Sequence, residues 1–234
     1  MILKGAMLFQ VWSGEPYRAT RDMDFLASGD VTPESIVRRI QAICNTRVED
    51  DGLEFDLGDL KVEPIREDTE YGGIRARFIA RLGSAKIPIQ LDFGVGDAVS
   101  PVTISYPSLL DLPEPEVLAY PPEVVVAEKL DVIVNLGMAN SRMKDYYDLW
   151  FIVTTAAPEA GVLAMAVKQT FDRRGREIPI DVPSGLSDEF ADDPAKRSQW
   201  KAGLRRFAVE APELDEVVAL VREFAMPAFL AARE

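Results

Sequence analysis

The stretch "RATRDMDFLASGD", residues 18–30, decides how the chain is read. It sets Asp22 and Asp24 one residue apart, between an Arg/Thr-rich turn and the apolar pair Phe25-Leu26. On a strand, alternate side chains share a face, so these two carboxylates point the same way. Neighbouring carboxylates repel unless a positive charge lies between them. The stretch is therefore either a solvated turn or half of a cation site.

Composition narrows the chemistry. With 234 residues, 47% hydrophobic and 28% charged, the chain suits a soluble globular protein with a core of one large or two modest domains. No apolar run is long enough to span a bilayer. The start "MILKGAMLFQ" lacks the pattern of a signal peptide, so a cytoplasmic protein without membrane partners is expected. The single cysteine, Cys44, lies in "VRRIQAICNT" and reads as part of an apolar helix face. The absence of histidine excludes His-dependent nucleophile systems and His-ligated zinc or iron. A metal here would be held by oxygen, which favours magnesium, manganese or calcium. A net charge of −13 opposes broad nucleic-acid binding but leaves room for a local basic groove, such as "DPAKRSQWKAGLRRF".

Periodicity divides the chain. Ile2-Leu3-Lys4 reads as a strand ending at Gly5, "AMLFQVWSG" as a short helix, and Met23 to Leu26 as the next strand. "TPESIVRRIQAICN" carries a Thr32 cap, Pro33 in the first turn and Ile36, Ile40 and Ile43 on one face. "LKVEPI", "GGIRARFIARLG" and "KIPIQLDFGVG" alternate as strands, the last two joined through "GSAK". After "DLPEPEVLAYPP" nearly everything reads as helix, except the loop-like "GREIPIDVPSGLSDEF". The expected organisation is α+β: a half of strands and helices over residues 1–115 and a helical region over 116–234.

A third acid, Asp92, interrupts the apolar strand "IPIQLDFGVGD". An unpaired buried carboxylate costs several kcal/mol, so such a group has a partner or a metal, unless it sits at a strand end in water. If its strand neighbours that of Asp22 and Asp24, three carboxylates converge at strand spacing, roughly 5 Å. That arrangement suits one or two Mg²⁺ ions bridging a nucleoside triphosphate and an attacking hydroxyl.

"LKGAMLF" followed by "RATRDMDFL" resembles the opening of the nucleotidyltransferase AbiEii/AbiGii toxin family, a branch of the polymerase-β-like nucleotidyltransferases. Two later pieces also match that family: "PPEVVVAEKLDVIV", with Lys129, and "SRMKDYYDLW", with Asp145 and Asp148. The resemblance implies a polymerase-β-like mixed sheet with flanking helices. It implies that Asp22, Asp24 and Asp92 hold Mg²⁺ (or Mn²⁺) against the phosphates of an incoming NTP. Asp92 would also help deprotonate the acceptor. Gly5 and Ala6 would bring backbone N–H groups to the phosphates, although Ala6 lacks the hydroxyl of the commoner Gly-Ser version. Lys129 would meet the triphosphate and Asp145 would orient that lysine or bind substrate. The implied activity is Mg-dependent nucleotidyl transfer by the toxin of a toxin–antitoxin or phage-defence pair. The implied acceptor is RNA, foremost the tRNA 3′ end, and the implied partner a cognate antitoxin. A small-molecule or protein hydroxyl as acceptor, or a non-catalytic binding module of the same fold, are the alternatives.

Taken without the resemblance, other groups read more plainly. Tyr146, Tyr147 and Trp150 suit core packing, and the arginines of "DRRGR" and "LRRF" suit helix ends, with a tRNA-binding role as the alternative.

Overall fold

A computed structural model describes residues 1–14, 20, 22–65, 72–96, 99–108, 112–156 and 158–234. Arg18, Ala19 and Arg21 of the opening stretch lie outside the described residues. The chain groups into two compact units, Met1–Leu8 with Thr20–Tyr120, and Phe9–Ala19 with Pro121–Glu234. The expected division near residue 115 falls just before a strand that hydrogen-bonds into the first unit. Among the described residues, no helix is long and apolar enough to cross a membrane.

The first unit is built on a mixed sheet. Its strands are β1 (Ile2–Lys4), β2 (Met23–Leu26), β3 (Leu53–Ile65), β4 (Gly73–Leu82), β5 (Ala85–Gly94), β6 (Val102–Ser105) and β7 (Glu116–Ala119). They lie in the order β3-β4-β5-β2-β1-β7-β6. β3, β4 and β5 form antiparallel neighbours, and β5 then pairs parallel with β2. Between β1 and β2, helix α1 (Met7–Ser13) follows the Gly5-Ala6 turn. Between β2 and β3 runs α2 (Pro33–Cys44), whose N-cap Thr32 accepts the Ser35 N–H as its sequence demands.

Alternation along the strands separates two chemistries. Phe25 and Phe93 are register partners with ring centroids 5.8 Å apart. They face a core of Ala27, Ile36, Ile40, Ile74, Ala76 and Phe78, against which Cys44 also packs. Burial pushes the Cys44 thiol above its ordinary pKa, as expected of an inert apolar-face cysteine. With this face taken by aromatic and aliphatic side chains, Asp24 and Asp92 necessarily project from the other. β6 and β7 were not expected from the sequence, because each spans four residues beside proline-containing segments. β7 nevertheless pairs with β1 through Leu3 and Ala119.

The second unit is helical: α3 (Pro122–Leu136), α4 (Met143–Thr155), α5 (Ala160–Arg173), α6 (Asp188–Asp192), α7 (Pro194–Phe207) and α8 (Leu214–Ala232). Pro122 opens α3 and Gly137 closes it, as their positions suggest. The core includes Leu130, Ile133, Tyr146, Leu149, Phe171, Phe190, Trp200 and Phe229, all essentially inaccessible. Tyr146 stacks on Phe190 and donates its hydroxyl to the Gly185 carbonyl at 2.8 Å, a packing role as expected. The loop-like segment does contain regular structure: a short 3₁₀ turn at Ser184–Leu186 and then α6, capped by Ser187. The arginines of "DRRGR" do more than end a helix, since Arg174 and Arg176 both reach the buried Asp131.

Candidate active site

The geometry around Asp24 follows from strand register. Lys4 of β1 pairs with Asp24 of β2, Asp24 with Asp92 of β5, and Asp92 with Arg75 of β4. Register partners project from the same face. A row therefore crosses four adjacent strands with the charge order Lys⁺, Asp⁻, Asp⁻, Arg⁺. Asp22, immediately ahead of β2, adds a third acid. The carboxylates of Asp22, Asp24 and Asp92 each offer an oxygen within 4.8 Å of the others, so the three acids singled out in the sequence do come together.

Each acid is held. Thr20 donates its hydroxyl to Asp22 Oδ1 at 2.7 Å. Arg75 grips Asp92 bidentately, Nε to Oδ1 at 2.7 Å and Nη2 to Oδ2 at 2.5 Å. Only 12% of the Asp92 side chain is exposed, so this pair is desolvated enough to be firm. Asp24 packs on Gly5, whose φ is +74°. A Cβ at residue 5 would lie 2.1 Å from Asp24 Oδ2. Gly5 thus serves the chemistry in a way its sequence position did not reveal: its missing side chain is the space the Asp24 carboxylate fills.

The three carboxylates fit a hard divalent cation. They present only oxygen donors in a half-buried cluster carrying three negative charges, of which Arg75 balances one. Arg75 was not singled out in the sequence. The signal was there, because counting outward from the Gly83–Ser84 turn brings Arg75 opposite Asp92.

The second unit holds another charged centre. Lys129 of α3 donates from Nζ to Asp145 Oδ1 and Asp148 Oδ2 of α4, both at 2.8 Å. Arg142 donates from Nε to Asp145 Oδ2 at 2.7 Å. A spacing of three residues puts Asp145 and Asp148 on one helical face toward Lys129, which is far from a solvated surface lysine. Burial alone would lower the Lys129 pKa, but the two carboxylates hold it above the ordinary lysine value. Burial likewise works against the Asp145 anion, yet Lys129 and Arg142 outweigh it and pull its pKa from 3.8 to about 2. Asp145 and Asp148 thus both hydrogen-bond the Lys129 ammonium.

Comparison with known proteins now has a geometry to meet. The profile of the family described as nucleotidyl transferase AbiEii toxin, type IV toxin–antitoxin system, matches residues 1–231. The chain belongs to the AbiEii nucleotidyltransferase toxin family. As an AbiEii-family protein it is a nucleotidyltransferase of a type IV toxin–antitoxin system, which implies an NTP substrate and an antitoxin partner. JHP933 from Helicobacter pylori has a similar fold, with a TM-score of 0.53 at 15% identity, over 99% of this chain and 83% of that one. A second H. pylori structure, assigned provisionally as a nucleotidyltransferase, gives a TM-score of 0.49 at 14% identity over 100% and 86% of the respective chains. Among curated proteins, no significant match is found.

Two substitutions probe these centres. Gly5→Ala should lower stability to urea by about 2 kcal/mol, combining a left-handed backbone with the collision against Asp24. Adding Asp24→Gly, which also removes the Cβ that would lie 2.9 Å away, should recover the collision part alone. Equal losses with and without Asp24 would mean that the two residues do not meet. Because the folded-state pKa of Asp145 is depressed, its contribution is full above pH 3.8 and lost as pH falls through about 2. Its size is about 2 kcal/mol. Melting curves of wild type and Asp145→Asn should therefore differ at pH 5 and converge toward pH 2. A difference that stays constant across that window would contradict the assignment.

Proposed function

We propose that the Asp22, Asp24 and Asp92 carboxylates hold Mg²⁺ or Mn²⁺ and that the protein transfers a nucleoside monophosphate from an NTP to a hydroxyl of RNA, foremost the 3′ end of tRNA. The observation that carries this reading is the approach of three carboxylates from two neighbouring strands to within 4.8 Å. Like charges converge in this way where a cation is to be bound. When bound there, the cation would supply charge neutralisation of the triphosphate and of the charge developing in transfer.

The residues divide the remaining work. Asp24, seated on Gly5, and Asp22, tethered by Thr20, keep two anionic ligands in fixed positions. Gly5 and Ala6 would offer backbone N–H groups to the phosphates. Asp92 would complete the cation site and take the proton of the attacking hydroxyl on a carboxylate oxygen, with Arg75 releasing one of its two bonds. The acceptor oxygen then bonds to the α-phosphorus as the bond from that phosphorus to the bridging oxygen breaks. Pyrophosphate leaves, and the proton passes from Asp92 to solvent. Within the second unit, Lys129 is the cation we assign to a substrate phosphate. Two of its three N–H donors are committed to Asp145 and Asp148, leaving one for a phosphate oxygen.

In this reading residues 1–115 supply the nucleotidyltransferase core and 116–234 a helical domain. The setting is a cytoplasmic toxin–antitoxin or phage-defence pair.

Incubation with labelled NTPs, Mg²⁺ and total RNA tests the proposal. Label should enter an RNA band, and Asp24→Asn should reduce the rate at least about 100-fold with an unchanged melting temperature. Label on small molecules or on protein would move the acceptor to the alternative class. An undiminished rate in Asp24→Asn would overturn the cation assignment.

A further inference from the structure

The second unit contains a cleft of about 380 Å³ between the start of α4 and the C-terminal half of α7. Ligand sites for small molecules begin at about this volume. Its charged lining residues are Arg142, the N-cap of α4, Lys144 from α4 and Arg206 from α7, joined by the amide of Gln199. No acidic residue lines it among the described residues. In a chain with 39 acids against 26 bases, an all-cationic cavity is a departure that chance spacing does not favour. A second cleft in the same unit shows the ordinary case, since its Lys168, Arg176 and Arg233 are matched by Asp172, Glu177 and Asp181.

Two of the three cations of the first cleft are also uncommitted. Lys144 and Arg206 make no ion pair or side-chain hydrogen bond among the described residues. Arg142 uses only Nε, on Asp145, which leaves its two terminal nitrogens available. Arg142, Lys144 and Arg206 are all exposed, so an anion from solution can reach them, and like charges gathered in one concavity raise the local concentration of anions.

We infer that this cleft binds the phosphodiester backbone of single-stranded RNA through Arg142, Lys144 and Arg206. The inference rests on RNA as the acceptor class and assigns where the acceptor strand is gripped. A guanidinium fork suits phosphate oxygens, and two arginines flanking a lysine match anions repeated along a chain. The volume admits about one nucleotide, and the Gln199 amide can meet a base or a 2′-hydroxyl. Arg142 also touches Asp145, so a phosphate drawing on its terminal nitrogens bears directly on the Lys129 centre. With the chain's net charge of −13 opposing polyanions, the contact must be local and limited to about three phosphates.

Fluorescence anisotropy with a labelled single-stranded oligoribonucleotide, the full chain and EDTA in place of metal tests the inference. Wild type should bind with a log–log salt slope of about −2, as expected for three phosphates on a single strand. Lys144→Glu/Arg206→Glu should weaken binding at least tenfold and flatten the slope, while its melting temperature stays near that of wild type. Lys144→Gln/Arg206→Gln should give an intermediate loss, which separates lost attraction from a disturbed fold. Asp24→Asn should bind RNA as wild type does, whether or not it transfers nucleotides, so failure of the transferase reading is distinguishable. Equal affinity of wild type and Lys144→Glu/Arg206→Glu would overturn the inference. So would a wild type that ignores RNA but binds poly-glutamate, which would assign the cleft to an acidic protein segment.

Discussion

Three carboxylates within 4.8 Å of one another repel by a few kcal/mol per pair, and the first unit is organised around that repulsion. Asp24 and Asp92 occupy the middle of a cross-strand row whose outer members are Lys4 and Arg75. Flanking the acids with bases offsets part of their repulsion and leaves the remainder for a cation to neutralise. The row exists because the opposite face is spoken for. Phe25 and Phe93, one residue on from Asp24 and Asp92, are stacked in the core beneath α2, so a slip of one residue in either strand would bury a carboxylate and expose an aromatic ring. Packing on one face thereby positions charge on the other.

The second unit applies the same economy to a lysine. Lys129 is desolvated, and two carboxylates on one face of α4 hold its charge. Arg142 brings the local count to two cations and two anions, a balance that makes the buried cluster tolerable. The two centres share a design in which an ion is fixed by neighbours of opposite sign rather than by solvent. Such fixed charges need no reorganisation when phosphate charge arrives, which is what nucleotidyl transfer asks of a protein.

How much of this was legible in the sequence depends on range. The Asp22-Met23-Asp24 pattern, the isolated Asp92 in an apolar strand and the Lys129 and Asp145 helices all stood out locally, and the structure brings the three aspartates together as their alternation suggested. Gly5 stood out too, but as a turn near phosphates. That its absent side chain accommodates Asp24 is a contact across a strand pair that composition cannot show. Arg75 went unnoticed for a related reason. Nothing in "IRARF" distinguishes Arg75 from Arg77, and only the register set by the Gly83–Ser84 turn places the first, not the second, opposite Asp92. β6 and β7 lack the length for a periodic signal and owe their order to pairing with each other and with β1. The cationic cleft was half visible as "LRRF" and half as "SRMKD", two segments brought together by the packing of α7 against α4.

The central claim is that the row of charges is built to receive a divalent cation. It is tested most directly by crystals grown with Mn²⁺ and a non-hydrolysable NTP, with anomalous differences measured at a wavelength where manganese scatters. The account predicts an anomalous peak among the Asp22, Asp24 and Asp92 oxygens, with at least one Arg75–Asp92 bond given up. A nucleotide bound with its manganese elsewhere, and Arg75 still bidentate on Asp92, would contradict it.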